Sequence, residues 1–244
     1  MTESELAAEA DPAEGEPGMS RRELAVARSL FTARARAESR LQRFLDAALE
    51  LMNEGNDGDS ARDFTVHEVV ERSGQSLRLF YQYFGGKHEL LLALFEESVR
   101  STADLLAERT AGDDDPLERI HRFVVEYYRL CRPGHAGDRV ERLSTAPVMV
   151  DFAQQLLTSH PSEAALAFAP IVSLFGDLLD EAASAGRIRP ALRHSPIAGM
   201  VLEAIMFNAF SATISGASAN TSERDSVEEL WEFILHGVGT VAPG

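Results

Sequence analysis

The segment Phe64–Phe84 constrains the fold more tightly than any other part of the chain. Thr65 with Glu68 three residues on has the spacing of a reciprocal helix cap, and Val66, Val69 and Val70 make one apolar side of the helix that follows. Ser73-Gly74-Gln75 then breaks the helix, with Gly74 supplying a turn conformation that a side chain would penalise. Ser76 caps a second helix. At about 100° per residue, Leu77, Phe80 and Phe84 fall within a ~60° arc with Tyr83 adjoining, while Arg78, Tyr81 and Gln82 lie on the far side. One side must be buried and the other is left to solvent, which is the layout of a helix-turn-helix.

Helical periodicity continues along the chain. Leu41, Phe44, Leu45, Ala48, Leu49 and Met52 recur at three- and four-residue steps, predicting a helix over about 40–54. Further helices are expected over 87–109, 116–131, 138–145, 147–159, 162–185, 196–215 and 227–238, divided by Gly-, Asp- and Pro-rich breaks. No alternating strand pattern stands out, so the expected fold class is all-α. No run approaches the ~20 apolar residues that span a bilayer, and the acidic start lacks an apolar core, so a cytoplasmic location is expected. The lone Cys131 excludes an internal disulfide and a Cys-rich zinc site.

The formal net charge of −16 argues against nucleic acid until its distribution is read. Residues 1–20 hold six acids and no base, and their composition predicts a disordered tail. Residues 21–90 are balanced at eleven basic and eleven acidic groups, with seven arginines between 21 and 43. The excess acid therefore lies in the tail and in 91–244. Salt screens charge over roughly 8–10 Å, so a distant acidic body weakens non-specific binding without forbidding a local site. On the exposed side of the second short helix, Arg78 suits guanine, Gln82 suits adenine and a tyrosine hydroxyl suits phosphate.

Gly74-x-Ser76, Phe80-Tyr81-x-Tyr83-Phe84 and Lys87-x-x-Leu90 together resemble the DNA-binding region of TetR-type bacterial transcriptional regulators, over roughly residues 38–95. The resemblance implies a three-helix DNA-binding head, a fourth linking helix, and a larger ligand-binding and dimerisation body. The division expected on that basis is an acidic tail over 1–20, an Arg-rich arm over 21–38, a helix-turn-helix domain over 39–86 and the body over 87–244. It implies phosphate contacts for Thr65, Tyr81, Tyr83 and Lys87, and a DNA-facing first turn for His67. Leu77, Arg78 and Gln82 would face base edges, with Ser76 capping the helix. Leu79 departs from the small residue usual at its place.

The body shows no phosphate loop, nucleophile elbow or His-Glu metal helix, so no catalytic residue and no cofactor is expected. His121, His135, His160 and His194 have no metal-ligand spacing, and no metal site is expected. Phe123, Tyr127, Met149, Phe152, Phe175 and Met206 are the candidate lining of an apolar cavity for a lipophilic or aromatic effector. Arg119, Arg122, Arg129 and Arg142 are candidates to hold an anionic end. A palindromic operator requires a homodimer, for which Phe210, Leu230, Trp231, Ile234 and Leu235 are the candidate interface. The reading is a sequence-specific DNA-binding regulator, by default a repressor released by its effector. The alternative is an all-α enzyme or protein-binding bundle in which the head only packs.

Overall fold

The computed structural model describes residues 20–54, 64–112, 115–131, 147–190, 193–214 and 223–238. Every regular element among them is a helix: α1 Arg21–Glu54, α2 Val66–Ser73, α3 Leu77–Tyr83, α4 Lys87–Thr110, α5 Pro116–Leu130, α6 Pro147–Ser159, α7 Pro161–Ser184, α8 His194–Ile214 and α9 Glu223–Val238. The fold is all-α, with a helix-turn-helix head and a helical body. Most of the acidic tail and the helix expected over 138–145 lie outside the described residues.

The sequence stripe beginning at Leu41 and the arginine-rich stretch before it form one helix. α1 has 34 residues, a length of about 50 Å at 1.5 Å per residue. Its burial changes abruptly at Phe44: before it, residues are exposed or half-buried, and after it Leu45, Ala48, Leu49 and Met52 enter the core. Val26, Leu30 and Phe31 remain exposed on the N-terminal half.

Rings dock the head together. Phe44 is fully buried and meets Phe80 edge-on at 5.5 Å and Phe84 at 6.3 Å, while Phe80 and Phe84 are 5.3 Å apart. Such aromatic pairs add about 0.5–1.5 kcal/mol beyond the area they bury. Arg72 of α2 pairs with Glu50 of α1, and the Gln75 amide donates to the Arg40 carbonyl at 2.8 Å, so the turn itself is tied to α1.

The body is built around α7, on which α4, α5, α6 and α8 all pack. That position corrects one expectation: α7 is long and apolar enough to cross a bilayer by length and composition. Its apolarity serves packing, with Ala164, Ala167, Ile171, Phe175, Leu178 and Ala182 buried at helical spacing. Ion pairs fasten its neighbours, Arg109 to Glu126 between α4 and α5 at 2.6 Å and Arg119 to Glu181 between α5 and α7 at 2.5 Å. α9 lies against α5, with Val227 and Ile234 buried and Trp231 packed on the His121 ring at 4.9 Å. Arg189 donates to the Gly237 carbonyl and holds the end of α9.

If the Phe44 ring carries the docking of α3, Phe44→Ala should destabilise the protein by about 3–5 kcal/mol, as fully buried phenylalanines do. Urea unfolding followed by circular dichroism measures this, and a loss below 1 kcal/mol would contradict the assignment.

Candidate nucleic-acid interface and body cavity

Caps position the two short helices of the head. The Thr65 hydroxyl accepts from the Glu68 N–H at 3.3 Å, and the Glu68 carboxylate accepts from the Thr65 N–H at 2.8 Å, the reciprocal box expected from the sequence. Gly74 closes α2 in the left-handed region at φ 65°, where its N–H reaches the Glu71 and Val70 carbonyls. Ser76 opens α3 by accepting from the Leu79 N–H at 3.2 Å. These three local devices fix the angle at which α3 leaves α2.

The surface of α3 then divides as its sequence dictates. Phe80 is buried, Leu77, Leu79 and Tyr83 are half-buried, and Arg78, Tyr81 and Gln82 are exposed together at i, i+3 and i+4. Leu79 packs on the hydrophobic core, so its bulk is absorbed by the head itself. Tyr83 lies 6.3 Å from the Phe44 ring and shares the docking, while Tyr81 is 57% exposed with its ring edge-on to Phe80. Thr65, His67 and Ser76 are also exposed, on the same two capped starts. The arrangement offers a guanidinium, a primary amide, a phenol and an imidazole from two adjacent helix starts.

Lys87 is built differently from its neighbours. Its ammonium donates to the Phe64 carbonyl at 2.6 Å and sits 4.3 Å above the Phe64 ring, half-buried at the first turn of α4. A phosphate contact there would have to share a group that already latches α4 to the start of α2. Beside it, Glu89 accepts from the Gly85 N–H at 2.7 Å and steadies the turn between α3 and α4.

In the body, a partly open cavity of about 490 Å³ lies between α7 and α8, with Tyr127 of α5 and Leu157 of α6 also in its lining. Its walls are Phe168, Val172, Leu202 and Met206 with small residues between them, among them Ala164, Ala165, Ala169 and Gly199. Ser173, Ser195 and Glu203 contribute polar groups, and Glu203 is the one charged residue among the described residues of the lining. A second void of about 50 Å³ lies toward α4, lined by Phe95, Thr102, Cys131 and Met149, and shares Tyr127, Phe168 and Met206 with the first. Burial pushes the Cys131 thiol up to about 12 despite its hydrogen bond to Tyr127, and raises Tyr127 well above the usual phenol range. Both groups are therefore neutral across physiological pH.

Of the six residues expected to line a cavity, Tyr127, Met149 and Met206 do so, and three are placed elsewhere. Phe123 and Phe175 stack at 4.7 Å inside the core, and Phe152 packs between the rings of His88 and Phe95. The arginines are also elsewhere: Arg119 is held by Glu181 and the Thr110 carbonyl, Arg129 by Glu126, and Arg122 does not line the cavity. Arg142 lies outside the described residues. Small residues at four-residue spacing on α7, Ala165, Ala169 and Ser173 with Ala164 beside them, were the signal that would have found the wall. The α9 stripe offered for an interface turns inward, with Ile234 buried and Leu230, Trp231 and Leu235 half-buried. The Phe210 side chain lies outside the described residues.

Comparison with known proteins agrees with this geometry. Residues 44–94 match the family described as bacterial regulatory proteins, tetR family. A putative TetR-family transcriptional regulator from Rhodococcus sp. has the same fold at TM-score 0.60 and 19% identity, covering 82% of this chain and 100% of that one. A TetR family transcription regulator from Marinobacter aquaeolei VT8 superposes at TM-score 0.54 and 20% identity, covering 85% of this chain and 100% of that one. FadR from Bacillus subtilis, solved in complex with stearoyl-CoA, gives TM-score 0.58 and 16% identity over 80% of this chain and 98% of that one. Among curated proteins none matches.

Gly74 gives the head a clean test. A Cβ there would meet nothing within 4 Å, so only the left-handed backbone penalises a side chain. Gly74→Ala should therefore cost about 1–2 kcal/mol of stability, the left-handed penalty for one residue, read as a lower urea midpoint at unchanged slope. An unchanged midpoint would mean the turn is not held at this φ.

Proposed function

We infer, from a chain that carries a tetR-family head on a TetR-type fold, that it is a sequence-specific DNA-binding transcriptional regulator switched by a small molecule. The observation that carries the DNA-binding half is the exposed trio Arg78, Tyr81 and Gln82 on a recognition helix whose opposite side is buried. Among the described residues, nothing in the packing of the head requires an exposed guanidinium and amide at those places. Each bidentate base contact is worth about 1–3 kcal/mol of discrimination. Thr65, His67, Tyr83 and Lys87 surround the trio as backbone contacts, with Leu77 against a base edge.

A palindromic site read by two such helices about 34–36 Å apart requires a homodimer. Ile234 of the α9 stripe is buried and Trp231 packs on the His121 ring of α5; among the described body residues, those more than 60% exposed are Leu166 of α7 and, on the last two helices, Met200 and Phe207 of α8 with Phe233 of α9. Those on the last two helices replace the inward-facing residues as the proposed interface.

The effector is read from the cavity. Its volume lies within the roughly 300–1,000 Å³ of small-molecule sites, and its walls are apolar. Among the described residues of the lining Glu203 is the charged one and none is a lysine or arginine, which suits a neutral or cationic lipophilic or aromatic molecule with a hydrogen-bond donor. FadR of Bacillus subtilis binds a ligand with a long apolar chain, and an apolar body is the part that this cavity suits too. Effector binding would move α4, which packs on α7 and begins one turn after α3, and a coupling of only ~1–3 kcal/mol would release DNA. Repression is the proposed sign.

Selection of bound fragments from genomic DNA, followed by affinity measurement, tests the head. Arg78→Ala with Gln82→Ala should lower specific affinity by about 30-fold or more while circular dichroism and the dimer mass in sedimentation stay unchanged. Retained affinity, or a monomer at micromolar concentration, would count against this reading.

Gly199 tests the cavity. It lines the wall, and a Cβ built on it meets nothing within 4 Å, so the side chain of Gly199→Leu starts into open space at the cavity and favours the helix. DNA affinity should survive while release by lipophilic candidates is lost. A variant still released like the wild type would place the effector elsewhere.

A further inference from the structure

Far apart in sequence, His88, His160 and Glu163 meet where the first turn of α4 crosses the start of α7. One ligating atom from each lies within 4.8 Å of the others. The His88 Nε2 is 2.7 Å from one oxygen of Glu163, and the His160 Nδ1 is 3.8 Å from the other. The two imidazole rings are 4.6 Å apart, and the Phe152 ring 5.5 Å from His88 makes an apolar wall behind it. All three side chains stay 36–40% exposed, so the cluster is open to an incoming ion and to water.

We propose that His88, His160 and Glu163 bind a divalent transition-metal ion of the zinc class, clamping α4 to α7. A plain hydrogen bond explains His88 with Glu163, but it leaves His160 aimed at the second oxygen across a gap too long to be a bond. Tetrahedral sites with bonds near 2.0–2.1 Å place their ligand atoms roughly 3.3 Å apart. The 2.7 and 3.8 Å distances run to the two oxygens of Glu163, and one ligating atom from each residue lies within 4.8 Å of the others, so side-chain shifts of up to roughly 1.5 Å bring the three atoms to that spacing. Two neutral imidazoles and one carboxylate suit Zn²⁺, Co²⁺ or Ni²⁺. Ca²⁺ and Mg²⁺ demand more oxygen ligands, and the absence of a thiolate from the three disfavours Cu(I). Water takes the fourth position.

The test uses the full chain, freed of any histidine tag and stripped with a chelator. Titration with Co²⁺ should give the visible absorption bands of a low-coordinate site, saturating at one ion per chain and lost on adding Zn²⁺. His88→Gln, His160→Gln and Glu163→Gln should each weaken Zn²⁺ binding at least about tenfold, the least that even an outer-shell change brings. His160 makes no side-chain cap bond at the start of α7, so its replacement leaves that helix start as it was. His236→Gln, at an exposed histidine on α9, should bind as the wild type does. Zn²⁺ should also raise the thermal midpoint of the wild type by a few degrees and leave that of His160→Gln unmoved. A Co²⁺ spectrum no different from the aqueous ion, or Zn²⁺ affinity equal in wild type and all three variants, would overturn the proposal.

Discussion

The position of Phe44 governs what the head can present. Its ring is fully buried and contacts both Phe80 and Phe84, so the long first helix and α3 meet through one aromatic cluster. Aromatic packing is directional, and an edge-on contact fixes orientation as well as distance. Arg78, Tyr81 and Gln82 point outward because Phe80 and Phe84 are committed inward. The caps at Thr65 and Ser76 and the left-handed Gly74 set the helix ends; the ring cluster sets where those helices sit.

The body reverses this economy of large rings. α7 supports four other helices, and it does so with a face rich in alanine where α8 approaches. Small side chains on α7, with Gly199 on α8, leave a space that Phe168, Leu202 and Met206 rim but do not fill. The result is a partly open pocket of about 490 Å³ with mostly apolar walls. α4 joins this region to the head. Its first turn carries Lys87 latched to Phe64 and His88 against Glu163, and its length packs on α7.

Local features of the head were legible because each is settled within a few residues. The Thr65–Glu68 box, the Gly74 turn, the Ser76 cap and the two sides of α3 all follow from spacing, and the structure reproduces them. Helix positions in the body were legible for the same reason, with α4 and α6 starting at the expected residues and α8 starting two residues early at His194. Which side of a body helix faces what was not legible. Phe123, Phe152 and Phe175 have the same periodic spacing as Tyr127 and Met206, and only the neighbours of each decide between core and cavity. The stripe of α9 shows the same ambiguity: a continuous apolar face does not state whether its partner is α5 or a second chain.

By itself the sequence determined the all-helical class, the helix ends and the division of α3 into a docking side and an exposed side. These depend on backbone propensity, capping and periodicity, whose range is a turn or two of helix. Tertiary structure decided that the arginine-rich arm and the first head helix are one rod and that Lys87 latches to Phe64. It alone brought His88 within reach of His160 and Glu163, some seventy residues away, and left the cavity between α7 and α8. Contacts between distant residues depend on how whole helices cross, and helix crossing is set by the summed shape of many side chains.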